Sequence, residues 1–314
     1  MSIYITIDGG TTNTRISLVA DKVIKDTIKL SVGARANMDG DGVLQKAICE
    51  GIKKILPTNN LSEKDICCIL ASGMITSEFG LINLPHISVP AGIAELHESM
   101  EKVILGEISS IPFFFIRGVK KVGTSFTDSD IMRGEETELM GIADSSFGEC
   151  VYILPGSHSK IIKTDEKGRI TDFSTMLTGE MIASLSEYTI LKDAVDLSEA
   201  AVNSEYLIMG YDYAKKEGIN KALFKVRILK NLFGGKKDET YSFFLGAVLS
   251  GEIEGALKSN AKNIAIGGKA QIKIAMAEIF EKRSDKKVVL LSEDEVNSST
   301  ALGAIKIYEN GGER

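Results

Sequence analysis

The sequence predicts an α/β protein built as two similar halves. Three observations carry this. The first thirty residues read as an antiparallel three-stranded meander: Ile3, Ile5 and Ile7 alternate, a Gly-Gly turn follows, then Arg15–Ala20, a polar corner near Asp21, and Val23–Leu30. A second set of three short strand-like segments, Cys150–Leu154, Lys160–Thr164 and Arg169–Ser174, appears in the second half. After each set, helical and strand periodicities alternate.

The remaining elements follow in order. Gly42–Leu56 has helical spacing (Val43, Ala47, Ile48, Ile52, Ile55) and is expected to stop before Pro57. Ile66–Ala71 is a continuous apolar run, as a buried strand requires. His86–Val89 and Pro112–Ile116 read as further strands, and Phe113-Phe114-Phe115 reads as strand core rather than a binding platform. Ile131–Ala143 reads as a helix. Beyond the second meander, helices are expected at Gly179–Leu191, Ser198–Glu217, Asn220–Leu229 and Asp238–Ser259. A strand at Asn263–Ile266, two glycines, a helix at Ala270–Lys282, a strand at Lys287–Leu290 and a helix at Asn297–Tyr308 close the chain. The expected domains are 1–129 and 130–314, with the last helix free to pack back across the hinge.

Bulk properties set limits. A chain of 314 residues suits two domains. The formal charge, 37 − 43 = −6, gives no general attraction to nucleic acid or an anionic membrane. The basic stretch Lys225, Arg227, Lys230, Lys236 and Lys237 reads as a solvated helix face. No window approaches the ~18 apolar residues of a membrane helix, and the N-terminus lacks the basic lead of a signal peptide. A cytoplasmic protein is expected, and a homodimer is left open. Cys49, Cys67, Cys68 and Cys150 form no C-x-x-C pair and are expected to be reduced packing residues. His86, His97 and His158 are scattered, so no metal cluster is expected.

Four segments point to chemistry. Asp8-Gly9-Gly10-Thr11-Thr12-Asn13-Thr14-Arg15 follows a strand directly. Its glycines let backbone N–H groups turn toward an anion, its threonines add hydroxyl donors, and Asp8 is placed to hold a Mg²⁺-bound water. A plain hairpin turn competes for the Asp-Gly-Gly part alone. Leu154-Pro155-Gly156-Ser157-His158-Ser159-Lys160 offers N–H and hydroxyl groups at Gly156 and Ser157, with Lys160 or His158 as a source of charge. Ile264-Ala265-Ile266-Gly267-Gly268-Lys269-Ala270 is a strand–Gly-Gly–helix turn, weak alone but third in the expected order. Asp130-Ile131-Met132-Arg133-Gly134-Glu135-Glu136-Thr137-Glu138-Leu139-Met140-Gly141 supplies the carboxylate that phosphoryl transfer to a hydroxyl needs. Glu135, Leu139 and Ile142 share one helical face, and Glu136, Met140 and Ala143 the next, so spacing does not separate the two acids. Arg133 can pair with an acidic substrate or bridge to a Glu.

The two Gly-rich meanders resemble those of the actin–hexokinase–heat-shock-ATPase superfamily, which implies an ATP cleft between two ribonuclease H-like domains. Ile131–Gly141, Leu154–Lys160 and Met176-Leu177-Thr178-Gly179-Glu180, in that order after Asp8–Arg15, resemble the 2-dehydro-3-deoxygalactonokinase family. Ser72-Gly73-Met74 and Ser88-Val89-Pro90-Ala91 are similar too, while 191–260 carries no distinctive match. The resemblance implies phosphorylation of the 6-hydroxyl of a 2-keto-3-deoxy sugar acid by ATP and Mg²⁺. It implies that Asp8, Gly10, Thr11, Thr12 and Asn13 hold phosphate, with Asp8 also at the metal. Gly156, Ser157, His158 and Lys160 would form a second clamp, and Gly267 and Gly268 would flank the nucleotide. Glu135 falls where related sugar kinases carry an Asp base, with Glu136 or Asp130 as substitutes. Another small sugar or pantothenate as acceptor, or a nucleotide-switched binding module or activator ATPase, are the competing readings.

Overall fold

The computed structural model describes residues 2–38, 42–198, 201–268 and 270–310. Contacts group the chain into two units. Unit 1 holds residues 1–145, 167–172 and 294–314, and unit 2 holds 146–166 and 173–293. This boundary falls at Ser145 rather than at residue 129, because the Arg133–Gly141 segment packs with the first unit.

In unit 1, strands β1 (Ile3–Gly9), β2 (Thr14–Ala20) and β3 (Val23–Leu30) form the antiparallel meander. Strand β4 (Cys68–Gly73) runs parallel to β1. Short strands follow at β5 (Ile87–Ser88), β6 (Glu101–Val103) and β7 (Phe113–Phe115). The main sheet has the order β3-β2-β1-β4-β7-β6. Strands β8 (Val119–Lys121) and β9 (Asp130–Met132) join β5 in a small second sheet.

Side chains alternate across a strand, so β1 has two different faces. Ile5 and Ile7 are buried together with Ile16, Leu18 and the apolar stripe Leu44, Ile48, Ile52 and Ile55 of helix α1 (Val43–Thr58). Burying each such side chain contributes about 1.5–3 kcal/mol. Tyr4, Thr6 and Asp8 lie on the other face, where the Tyr4 hydroxyl donates to Glu309 at 3.0 Å and Tyr308 meets the Tyr4 and Phe114 rings edge-on. Tyr308 and Glu309 belong to the last helix of the chain, Glu293–Asn310.

Helices α2 (Ile93–Glu98) and α3 (Glu135–Ile142) complete the first part of the chain. Strands β10 (Cys150–Leu154), β11 (Ser159–Thr164) and β12 (Ile170–Met176, of which 173–176 belong to unit 2) lead a sheet finished by β13 (Asn263–Ile266) and β14 (Lys287–Leu290), in the order β12-β11-β10-β13-β14. The order third-second-first-fourth-fifth is the one that β3-β2-β1-β4-β7 follows, so the repeat of architecture is real despite unlike sequences. Helices α4 (Thr178–Tyr188), α5 (Ser204–Glu217), α6 (Ile219–Phe233), α7 (Lys237–Leu257) and α8 (Ala270–Arg283) surround this sheet. Helix α7 is buried around most of its circumference, as expected of a helix apolar on every side. Helix α9 (Glu293–Asn310) belongs almost wholly to unit 1. No described helix is long and apolar enough to cross a membrane.

Several expectations need correction. Ile131–Ala143 is not one helix: Asp130–Met132 pairs with β8, and Gly134 has φ 115, which no helix continues through. Helix α1 runs past Pro57 to Thr58, where the Asn59 side chain donates to the Ile55 carbonyl at 2.8 Å. The strand expected at Ile66 begins at Cys68, and Cys67 is exposed rather than packed. Helix α5 starts at Ser204, not Ser198, because the Asn203 side chain caps Tyr206 N–H. Residues 199–200 of that expected helix lie outside the described residues.

Candidate active site

The site in unit 1 begins with three glycines. A Cβ on Gly73 would collide with the Gly9 carbonyl oxygen, and one on Gly134 would stand 3.3 Å from Gly73 Cα. Gly73 has φ 82 and Gly134 φ 115, a region that L side chains avoid. The ends of β1 and β4 and the start of α3 therefore touch backbone to backbone. A second close approach fixes the other end of α3. A Cβ on Gly141 would strike Ser299, and one on Gly303 would strike Thr137, so α3 and α9 pack without side chains between them.

This packing gathers acids around Asp8. Arg15 stands opposite Asp8 in the β1–β2 register, and Ser72 in the β1–β4 register. Burial pushes the Asp8 carboxyl above its usual value, Arg15 opposes this, and the charge of Glu135 adds to it. Glu138 is pushed up to about 8 by burial, then by Glu135 and Asp8, against the pull of Arg15. A small pocket beside Asp8 is lined by Arg15, Ser72, Asn297 and Thr300 together with the apolar side chains of Ile7, Leu70, Ala301 and Ala304.

The two adjacent acids of α3 differ sharply. Glu136 is fully buried, and both its oxygens accept the Gly134 N–H, at 2.9 and 2.8 Å, while Thr137 Oγ1 donates at 3.2 Å. Glu135 is partly exposed, with one oxygen accepting the Arg133 N–H at 3.1 Å. Burial, then the charge of Glu135, pushes Glu136 from 4.5 up to about 8. The protonated form is thus favoured on folding. Its stabilising contribution is complete below about 4.5 and is lost as pH rises toward about 8. Glu136→Gln keeps an acceptor for Gly134 and removes the charge. It is expected to melt close to the native protein at pH 4.5 and a few degrees higher at pH 8.5, at about 2–4 °C per kcal/mol. A melting difference independent of pH would overturn this account of Glu136.

Arg133 is committed to the fold. Its guanidinium donates to Thr76 O at 2.7 Å, Thr76 Oγ1 at 2.6 Å and Leu84 O at 3.0 Å, and lies 3.3 Å from His86 Nδ1. Neither expected pairing, with a Glu side chain or outward toward a substrate, describes these bonds. Burial, Arg133 and Lys120 together push His86 down to about 4, so it is neutral beside them. Asp130 lies on β9 opposite Lys121, and its carboxylate accepts the Ile131 N–H at 2.7 Å.

The β1–β2 turn is tied down through its carbonyls. Gly10 N–H donates to Asn13 O at 2.8 Å, Ala34 N–H to Gly10 O at 3.0 Å and Arg35 N–H to Thr11 O at 2.9 Å. Thr11, Thr12 and Asn13 remain exposed, with Asn13 Nδ2 donating to Thr12 Oγ1 at 3.0 Å. The turn thus presents hydroxyls while its carbonyls are held back.

Unit 2 carries the matching turn between β10 and β11. Gly156, Ser157 and His158 are exposed. Gly156 N–H donates to Ser159 Oγ at 3.2 Å, and Glu180 N–H to Ser157 O at 3.3 Å. A Cβ on Gly179 would lie 2.8 Å from Ser157 Cα, so the start of α4 abuts the turn. His158 Nε2 lies 3.0 Å from Glu180 Oε1. Lys160, expected as a source of charge at the turn, is buried, and its ammonium donates to Thr175 Oγ1 at 2.9 Å. Gly267 N–H donates to Ile153 O at 2.9 Å, and Gly268, at φ 83, would place a Cβ 3.0 Å from Pro155 Cδ. The Gly267-Gly268 turn therefore backs directly onto the 154–160 loop, while Lys269 lies outside the described residues.

Sequence reasoning passed over Glu138, Asn297, Thr300 and Glu180 as site residues. Glu138 had a signal, since it follows Glu135 by three residues and shares its helical face. Asn297 and Thr300 had none, because only the packing of α9 brings them to Asp8. Among the described residues, no group of three or more His, Cys, Asp or Glu side chains is arranged to cage a metal ion.

The fold is that of the actin/hexokinase-like ATPases and sugar kinases. It matches the crystal structure described as a 2-dehydro-3-deoxygalactonokinase from Sinorhizobium meliloti with a TM-score of 0.80 at 19% identity, over 99% of this chain and 100% of the other. Component A of the Acidaminococcus fermentans (R)-2-hydroxyglutaryl-CoA dehydratase matches with a TM-score of 0.52 at 16% identity, over the full length of both chains. The model of the 2-keto-3-deoxy-galactonokinase family matches residues 8–301, and the chain belongs to that family. A 2-dehydro-3-deoxygalactonokinase of Rhizobium meliloti (strain 1021) is 31% identical over 199 residues, 60% of this chain and 61% of that protein's length. The Escherichia coli (strain K12) 2-dehydro-3-deoxygalactonokinase is 28% identical over 259 residues, 79% of this chain and 78% of the relative.

Proposed function

We propose that this chain is a kinase that uses ATP to phosphorylate the 6-hydroxyl of 2-dehydro-3-deoxygalactonate. Family membership across residues 8–301 carries the reading. The geometry of unit 1 supports it: exposed Thr11 and Thr12 hydroxyls on a Gly-rich turn stand at the end of the strand that carries Asp8, and Glu135 is near enough for its charge to act on Asp8. Transfer to an alcohol requires positioning, neutralised phosphate oxygens and a carboxylate to accept the hydroxyl proton. Glu135 is assigned as that base. Glu136 is unsuited, because its oxygens are buried on the Gly134 N–H. Gly10, Thr11, Thr12 and Asn13 are assigned to phosphate in unit 1, and Gly156 and Ser157 in unit 2, with Gly267 and Gly268 behind the nucleotide. His158 and Lys160 are assigned to holding the second loop through Glu180 and Thr175.

Mg²⁺ fits the donor set. Asp8 and Glu138 both feel the charges of Glu135 and Arg15, and burial together with Glu135 pushes their carboxyls up, so a cation beside Asp8 would favour its charged form. Mg²⁺ is commonly held by one or two carboxylates, waters and phosphate oxygens rather than by a protein cage. Asp8 would hold it, and it would supply charge neutralisation at the phosphates.

Purified protein with ATP and Mg²⁺ is expected to release ADP only when 2-dehydro-3-deoxygalactonate is present, and to fall to background when the metal is chelated. ADP release without an acceptor would sink the reading. A faster rate with the gluconate epimer, a neutral sugar or pantothenate would move the substrate assignment elsewhere.

A further inference from the structure

Helix α7 carries a charged residue where its other buried positions are mostly apolar. Glu252 is 1% exposed, and neither carboxylate oxygen completes a hydrogen bond of ordinary geometry. A buried polar group left in that state is costly and asks for an explanation. Gly255, one turn further along, would place a Cβ 2.9 Å from Ile161 Cδ1 and 3.5 Å from Met176 Cε. This stretch of α7 therefore lies directly against β11 and β12, behind the 154–160 loop.

The polar neighbours of Glu252 are the hydroxyls of Ser159 and Thr178, both themselves buried. Each hydroxyl leads to the loop. Ser159 Oγ accepts the Gly156 N–H at 3.2 Å and donates to the Gly156 carbonyl oxygen at 3.4 Å. Thr178 opens α4, whose next residue, Gly179, abuts Gly156 and Ser157. A hydroxyl has one proton to give. Ser159 gives it to the Gly156 carbonyl, so its lone pairs are open to the Gly156 N–H on one side and to a carboxyl O–H behind the loop on the other, which fixes the orientation of that peptide. Burial holds the Glu252 carboxyl above its usual value, so it is suited to both giving and accepting a hydrogen bond.

We propose that Glu252 is a positioning residue for the second phosphate loop. Its carboxyl engages the Ser159 and Thr178 hydroxyls from behind, and through them sets Gly156 and Ser157 toward the nucleotide phosphates. The inference rests on the kinase reading above. It assigns to Glu252 no contact with nucleotide or sugar.

The test compares wild type, Glu252→Ala, Glu252→Gln and the isosteric Thr178→Val. The readouts are the Kd of MgADP by calorimetry, KM for ATP and KM for the sugar acid. Glu252→Ala is expected to raise the MgADP Kd and the ATP KM about tenfold while the sugar-acid KM stays within about twofold. Glu252→Gln, which offers a donor and an acceptor, is expected to stay within about threefold of wild type, and Thr178→Val to weaken MgADP about threefold. Unchanged nucleotide affinity in Glu252→Ala would overturn the inference, as would Glu252→Gln impaired as badly as Glu252→Ala. Should Glu252→Ala not fold, a wild-type Kd in Thr178→Val overturns it. Wild-type protein that binds no MgADP overturns the kinase reading and this inference with it. Wild-type protein that binds MgADP while the variants are unchanged overturns this inference alone.

Discussion

Glu135→Gln is expected to lower kcat by about 10²–10⁴-fold while leaving the melting temperature and nucleotide affinity near wild type. The size follows from the role. A Gln side chain keeps the shape and one hydrogen bond but cannot take the proton of the acceptor hydroxyl, so the loss falls on the chemical step and kcat and kcat/KM decline together. The choice of Glu135 over four other acids is physical. Glu136 has no exposed oxygen and already accepts from Gly134. Asp130 sits on β9, across from Lys121. Asp8 serves better at the phosphates, next to the exposed threonines. Glu138 is the remaining competitor, because it shares the electrostatic cluster with Glu135 and Asp8. A steady-state ADP assay on Glu135→Gln and Glu138→Gln separates the two. If Glu138→Gln suffers the greater loss in kcat, the base assignment passes to it.

The parts of the fold that were legible in the sequence are those with long or strictly alternating patterns. Val23–Leu30, Cys150–Leu154, Asn263–Ile266 and Lys287–Leu290 coincide with strands β3, β10, β13 and β14. Strands of three residues such as β6, β8 and β9 are too short for any period to register, and they form only because a neighbour supplies hydrogen bonds. The error at Ile131–Ala143 has a different origin. Its apolar spacing suits a helix, yet Gly134 holds a backbone angle that follows β9 and starts α3 at Glu135, four residues later than the pattern implied. The site was legible as loops and not as contacts. Asp8–Arg15 and Leu154–Lys160 could be found as Gly-rich turns after strands. That Glu136 is turned inward, that Lys160 bonds Thr175, and that Arg133 is spent on Thr76 and Leu84 depend on packing across tens of residues, to which local spacing is blind.

The glycine contact beneath Asp8 is expected to be sensitive to any added side chain. Gly73→Ala meets two penalties. At φ 82 an L residue costs about 1–2 kcal/mol, and its Cβ would press on the Gly9 carbonyl oxygen, with Asp8 Oδ1 at 3.5 Å. Backbone atoms cannot swing aside as a flexible side chain can, so β1 and β4 must separate at their ends. Overpacking of this kind typically costs a further 1–3 kcal/mol or about that. The same displacement moves Asp8 away from Glu135, so kcat is expected to fall together with stability. Gly148→Ala is the matched control: Gly148 has φ 60, but nothing lies within 4 Å of its Cβ position. It should show the backbone penalty alone and leave kcat unchanged. Thermal melts and kcat measured on both variants isolate the contact. Equal losses of stability would mean that φ alone matters at Gly73. A larger loss with full activity would mean that the spacing of β1, β4 and α3 does not set the distance between Asp8 and its neighbouring acids.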